Sequence, residues 1–166
     1  MSIPQGPWRA PVVLAYAAFI QVGICAGVSG VLLPAQRADY RVSMAEIGLS
    51  FFVFSAGFLL AGVTCGPLLH RLGTRLALGV GGGAALLGAL ILGLRPSFAL
   101  FLAVQLVAGY GGGMIESVLN AYLAALPRAM VLLNRLHAFF GVGALLGPLL
   151  AAWLLQAVPW PTVWLV

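Results

Sequence analysis

An all-α protein that crosses a lipid bilayer several times is what this sequence predicts, and three observations carry the expectation. Of 166 residues, 63% are hydrophobic and only 7% are charged, where a soluble domain carries about 25% charged residues. Mean hydropathy is +1.12, too high for the apolar surface to be hidden in one core of this size. The apolar residues also come in unbroken runs of roughly 20, the length of helix that spans a bilayer. The runs do not alternate with period two, as barrel strands would. Helices then remain as the structure that satisfies its own backbone in lipid.

Taken in order, the runs predict a single bundle over 1–166, with spans at 12–34, 47–69, 76–94, 98–126 and 137–158 and the start of a sixth at 161. The first span ends at Pro34, and 34–46 is the longest connection, holding Arg37, Asp39, Arg41 and Glu46. Spans two and three are joined through His70–Arg75, where Gly73 suits a helix C-terminal position. Arg95-Pro96-Ser97 makes the turn before span four. The tail from Pro161 carries Trp160 and Trp164 at an interface. Before the first run Arg9 is the one basic side chain, and that run exceeds the 7–15 residues of a signal-peptide core, so the first span is expected to stay and to serve as the targeting signal.

The basic residues are eight Arg and no Lys, against three acids. They sit singly in short loops, so they read as topology signals and not as a nucleic-acid footprint. With the N-terminus inside, the inner loops hold Arg9, Arg71, Arg75, Arg128 and Arg135, and the outer ones Arg37, Arg41 and Arg95. That bias favours a cytoplasmic N-terminus in a plasma membrane, a bacterial inner membrane by the resemblance below. Cys25 and Cys65 lie inside apolar runs and read as small core residues. No phosphate loop, no metal-ligand spacing and no cofactor motif is visible, and three acids and two histidines leave little for acid–base catalysis. An enzyme is not expected, nor a cofactor or metal.

Polar residues inside the spans mark the candidate site. Glu116 lies near the middle of span four, where a lipid-facing carboxylate costs at least about 2.5–3.5 kcal/mol. Gln105, Gly109, Gly112, Glu116 and Asn120 follow spacings of 4, 3, 4 and 4, a single helical face suited to a polar cavity. Glu116 reads as a substrate or proton site, or as a structural hydrogen bond to a neighbouring helix. Gln21 in span one faces the same cavity or bonds a neighbour. Asn134 and His137 stand at the entry to span five, where His137 can titrate near neutral pH or simply cap the interface. Glycines four apart, in spans one, two, four and five, allow close helix packing. Spans one and four, both glycine-interrupted, are the first helices of two successive three-helix units, the layout of transporters built from inverted repeats.

Two stretches resemble a known family. Gly66-Pro67-Leu68-Leu69-His70-Arg71-Leu72-Gly73-Thr74-Arg75 resembles the signature loop of the major facilitator superfamily, G-x-L-a-D-R-x-G-R-[KR]. Gly66, Leu68, Arg71, Gly73 and Arg75 match; His70 stands for the usual Asp and Thr74 for an Arg. The resemblance implies a cytoplasmic loop that helps gate the inner mouth. Glu116 four residues before Asn120, then Leu133-Asn134 and Gly143-Ala144, is similar to spans four and five of the fucose–proton symporter branch. That likeness implies the N-terminal half of a twelve-helix transporter, with Glu116 in proton or sugar binding. Leu32-Leu33-Pro34 matches the end of helix one in that branch, but Gly30 stands where its acid would be. The implied activity is alternating-access transport of a small polar solute such as a sugar, coupled to protons or facilitative. A C-terminal half or a second copy of the chain would supply the other wall. The competing reading is a non-transporting helix bundle that binds a partner.

Overall fold

The computed structural model describes residues 9–165. Four long helices and one short one fill it: α1 Arg9–Tyr40, α2 Met44–Gly93, α3 Phe98–Ala124, α4 Ala129–Leu154 and α5 Trp160–Val163. The four long helices are each long and apolar enough to cross a membrane. Their exposed faces carry Leu14, Phe52, Leu59, Val63, Leu86 and Leu145, side chains suited to lipid. The chain is a polytopic helical membrane bundle.

The fifty residues of α2 would extend about 75 Å as one rod, more than twice the hydrocarbon core. They hold two spans, because the helix breaks at Gly73 (φ 74°, ψ 170°), a region of backbone space essentially open to glycine alone. Contacts along α3 show the reversal. In the first arm, 44–72, Gly57 meets Leu106 and Tyr110, and Ala61 meets Gly113. In the second arm, 74–93, Gly81 meets Gly111 and Met114 while Gly88 meets Ala108. The first arm therefore runs parallel to α3 and the second antiparallel. Ala61, Cys65, Ala77, Met114 and Val118 form the core between the three.

The helices overrun the predicted spans. α1 continues through Pro34 to Tyr40, since proline removes its own N–H and leaves the hydrogen bonds beyond it intact. The expected long connection shrinks to Arg41–Ser43. Arg41 (φ 56°) ends α1 in the left-handed conformation, and the Val42 N–H bonds the Arg37 carbonyl, a Schellman closure with arginine where glycine is usual. Ser43 then caps α2 in a reciprocal capping box with Glu46. Likewise α4 begins at Ala129, well before His137.

Two glycine seams organise the bundle. A Cβ on Gly23 would strike the Phe140 carbonyl, and one on Gly143 the Ile20 carbonyl, so α1 and α4 touch backbone to backbone. A Cβ on Gly109 would strike the Phe54 carbonyl, and one on Gly57 the Leu106 carbonyl. One shift of 86 residues carries the first seam onto the second: Gly23 to Gly109, Gly27 to Gly113, Ile20 to Leu106, Phe54 to Phe140 and Gly57 to Gly143. The chain is thus built as an internal repeat, an arrangement the residue identities alone leave too faint to establish. Under the same shift Gly30 corresponds to Glu116.

Candidate functional site

At the Arg95 end of the bundle a polar clamp joins three elements. Asp39, at the end of α1, receives both Arg95 Nε (2.8 Å) and Arg95 Nη2. Its Oδ2 also accepts from Trp160 Nε1 (2.9 Å). The Tyr40 hydroxyl donates to the Pro96 carbonyl (3.0 Å), and its ring packs against Phe98, Phe101 and Trp160. Trp160, expected at an interface, is buried among these side chains. Arg95 takes a left-handed backbone (φ 52°), and the Asp39 carboxylate raises its guanidinium further above an already high ordinary value. The sequence reading missed this clamp, because its partners stand 56 and 121 residues apart.

At the Gly73 end Tyr16, Phe19, Leu119, Leu123, Leu132 and Leu136 close α1, α3 and α4 together. Tyr16 stacks on Phe139 (4.9 Å). Its hydroxyl is buried and within electrostatic reach of Arg135. Among the residues of the expected gating loop Leu68 packs on the α2–α3 core, while Gly66, His70, Arg71 and Arg75 are exposed and Gly73 makes the reversal.

The predicted polar face of α3 runs along the helix into the Gly73 end. Its residues separate into two environments. Gly109 is taken up by the seam with the first arm of α2 and is not part of an open face. Gln105 is buried. Gly112 has open space where a Cβ would be, and Glu116 and Asn120 are half-buried. Asn120 Nδ2 donates to the Glu116 main-chain carbonyl (2.9 Å), one turn back, and not to its carboxylate. His137 of α4 is close enough to act electrostatically on Glu116, and its ring meets Phe19 edge-on at 5.7 Å. The side chains of Gln21 and Asn134 are exposed. Across the repeat, Gly30 is also open, and Pro34 cannot donate to its carbonyl. Glu116, His137, Gly112 and Asn120 therefore form a polar strip on an open side of the bundle. Two cavities, of about 490 and 190 Å³, lie elsewhere, against the α1–α2 junction and between α2 and α3. No group of three metal-ligating side chains occurs among the described residues.

A bundle of glycine-sealed helices, with an internal repeat and a carboxylate part-way along a span, belongs with the inverted-repeat membrane proteins. The profile of the Major Facilitator Superfamily matches residues 14–166, and the chain belongs to that family. It is 32% identical over 135 residues to "Multidrug resistance protein B homolog" of Mycobacterium tuberculosis (strain ATCC 25618 / H37Rv), covering 78% of this chain and 24% of that protein. It is 31% identical over 128 residues to "Probable L-galactonate transporter" of Escherichia coli (strain K12), covering 72% of this chain and 27% of that one. The chain thus spans about a quarter of the length of these curated relatives. No solved structure matches it.

Proposed function

We propose that this chain is the N-terminal bundle of a secondary transporter that moves a small polar solute of the sugar type by alternating access. The observation that carries the reading is Glu116, half-buried within span four beside His137 on the open side of the bundle. A carboxylate at that depth is retained against its cost in lipid where it lines a solute or ion path. Glu116 binds a proton or a sugar hydroxyl there, with Asn120, Gln105 and Gln21 as hydrogen-bonding partners and Asn134 and His137 at the inner approach. Gly66, Leu68, His70, Arg71, Gly73 and Arg75 form the inner gate. The fucose–proton symporter branch fits the Glu116–Asn120 spacing, and a relative named for galactonate is consistent with a sugar-derived solute. Since Gly30 replaces the acid in the first repeat, Glu116 is the one carboxylate of this bundle available for coupling. A C-terminal half or a second copy completes the path. The bundle sits in a bacterial inner membrane with its N-terminus in the cytoplasm, as the arginine bias supports.

The test is sugar uptake into proteoliposomes, with and without an imposed pH gradient, for the chain and for Glu116→Gln. Gradient-driven uptake by the chain, lost in the variant while insertion is normal, is the expected result. Equal gradient dependence in both proteins would remove Glu116 from coupling. A folded, inserted chain with no uptake under any gradient would favour the partner-binding bundle.

A further inference from the structure

Where α1 gives way to α2, a cavity of about 490 Å³ opens beside the bundle. Its wall combines two cations, Arg37 and Arg41, with Leu33, Pro34, Val42 and Met44. Both arginines are exposed, and neither guanidinium has a partner among the described residues. The acids that could neutralise them are engaged elsewhere: Asp39 holds Arg95 and Trp160, and Glu46 accepts from the Ser43 N–H. The Schellman closure fixes Arg41 just past the helix end, four positions after Arg37. Two uncompensated guanidinium forks on one cavity make a site for a phosphoryl anion.

The other half of the wall says what the anion is attached to. Pro34 stands at the end of the apolar run, and Arg37 lies about one helical turn beyond it, roughly 4.5 Å, the depth at which headgroups begin. Leu33 and Pro34 line the cavity on the hydrocarbon side, and Met44 is largely exposed beside them. A free phosphate has no use for that apolar wall, and the volume is many times that of one water, about 30 Å³ in the liquid. We propose that the α1–α2 junction is a phospholipid site, in which Arg37 and Arg41 hold the phosphate of an anionic headgroup while Leu33, Pro34, Val42 and Met44 receive the start of its acyl chains. Headgroups lie on both faces of a bilayer, so the site is independent of the orientation of the chain.

The experiment measures the thermal midpoint of the full purified chain in neutral detergent with added phosphatidylglycerol, phosphatidylcholine or inorganic phosphate. Phosphatidylglycerol should raise the midpoint several degrees more than phosphatidylcholine, and inorganic phosphate should not. The increment should vanish in the double variant Arg37→Gln/Arg41→Gln and persist in Arg71→Gln/Arg75→Gln, which removes two charges from the opposite end. An equal increment in both double variants, no increment in the parent chain, or a matching shift from inorganic phosphate would overturn the proposal. Should the first double variant fail to fold, photoactivatable phosphatidylglycerol on the parent chain decides the matter. Labelling within 33–44 upholds the site, and labelling confined to other segments overturns it.

Discussion

Asp39 shows how unequal the two sides of one ion pair can be. Arg95 is 63% exposed on its side chain and Asp39 only 21%. The guanidinium of Arg95 reaches into solvent, where water screens the pair, so Arg95→Ala should lower stability little. Asp39→Ala removes the same pair and also strands the indole N–H of buried Trp160, which adds a desolvation cost of about 1–3 kcal/mol. Unfolding in detergent should rank Asp39→Ala clearly below Arg95→Ala, with Trp160→Phe between them. Equal losses would mean that the tryptophan bond contributes nothing. Glu116 was conspicuous as a candidate beforehand, since it is a lone acid in an apolar run. The clamp was not, because an Asp and an Arg near helix ends look like ordinary surface charges until the fold brings them together.

Within the helices, the glycines divide by what a methyl group would meet. On α4, Gly143 faces the Ile20 carbonyl, whereas Gly141 faces open space. Gly143→Ala forces two backbones apart and should cost about 1–3 kcal/mol, the range for overpacking. Gly141→Ala should be neutral or stabilise by up to about 1 kcal/mol, through helix propensity alone. The comparison is an unfolding midpoint for each variant, and similar values would count against the seam. Gly73→Ala tests the reversal in α2: its backbone region admits glycine alone, and a loss of about 1–3 kcal/mol is expected. From the sequence, helix type and the Gly73 turn were readable, because apolar run length and a glycine among arginines are local signals. The ends of α1 and α4 were not, because hydropathy marks where lipid stops and a helix continues into the headgroups until its hydrogen bonds are capped. The polar stripe of α3 is divided for a related reason. Spacing places residues on a side of a helix, but which neighbour covers that side is decided by the partner, and the first arm of α2 claims Gly109.

Across the whole bundle, the two seams share few residues. One joins α1 to α4 and the other joins α2 to α3. Free-energy changes at distant, independent sites add to within about 0.5 kcal/mol. Gly143→Ala combined with Gly109→Ala should therefore be additive, while Gly143→Ala combined with Gly23→Ala, in one seam, should cost less than the sum. Non-additivity across the seams would show that the two seams are coupled more tightly than their contacts suggest. The seams have a mechanical meaning as well. A carbonyl seated in the gap left by a missing side chain acts as a key in a slot, so neither helix of a pair can slide along the other without unseating it. Each pair behaves as a laminated beam, stiff along its length and resistant to shear. The beams are pinned to each other near their tips, by Asp39 and Arg95 at one end and by Leu119 and Leu123 of α3 packed against α1 and α4 at the other. Bending of this bundle is therefore expected between the pins, a stretch that Glu116 borders, about one turn from Leu119.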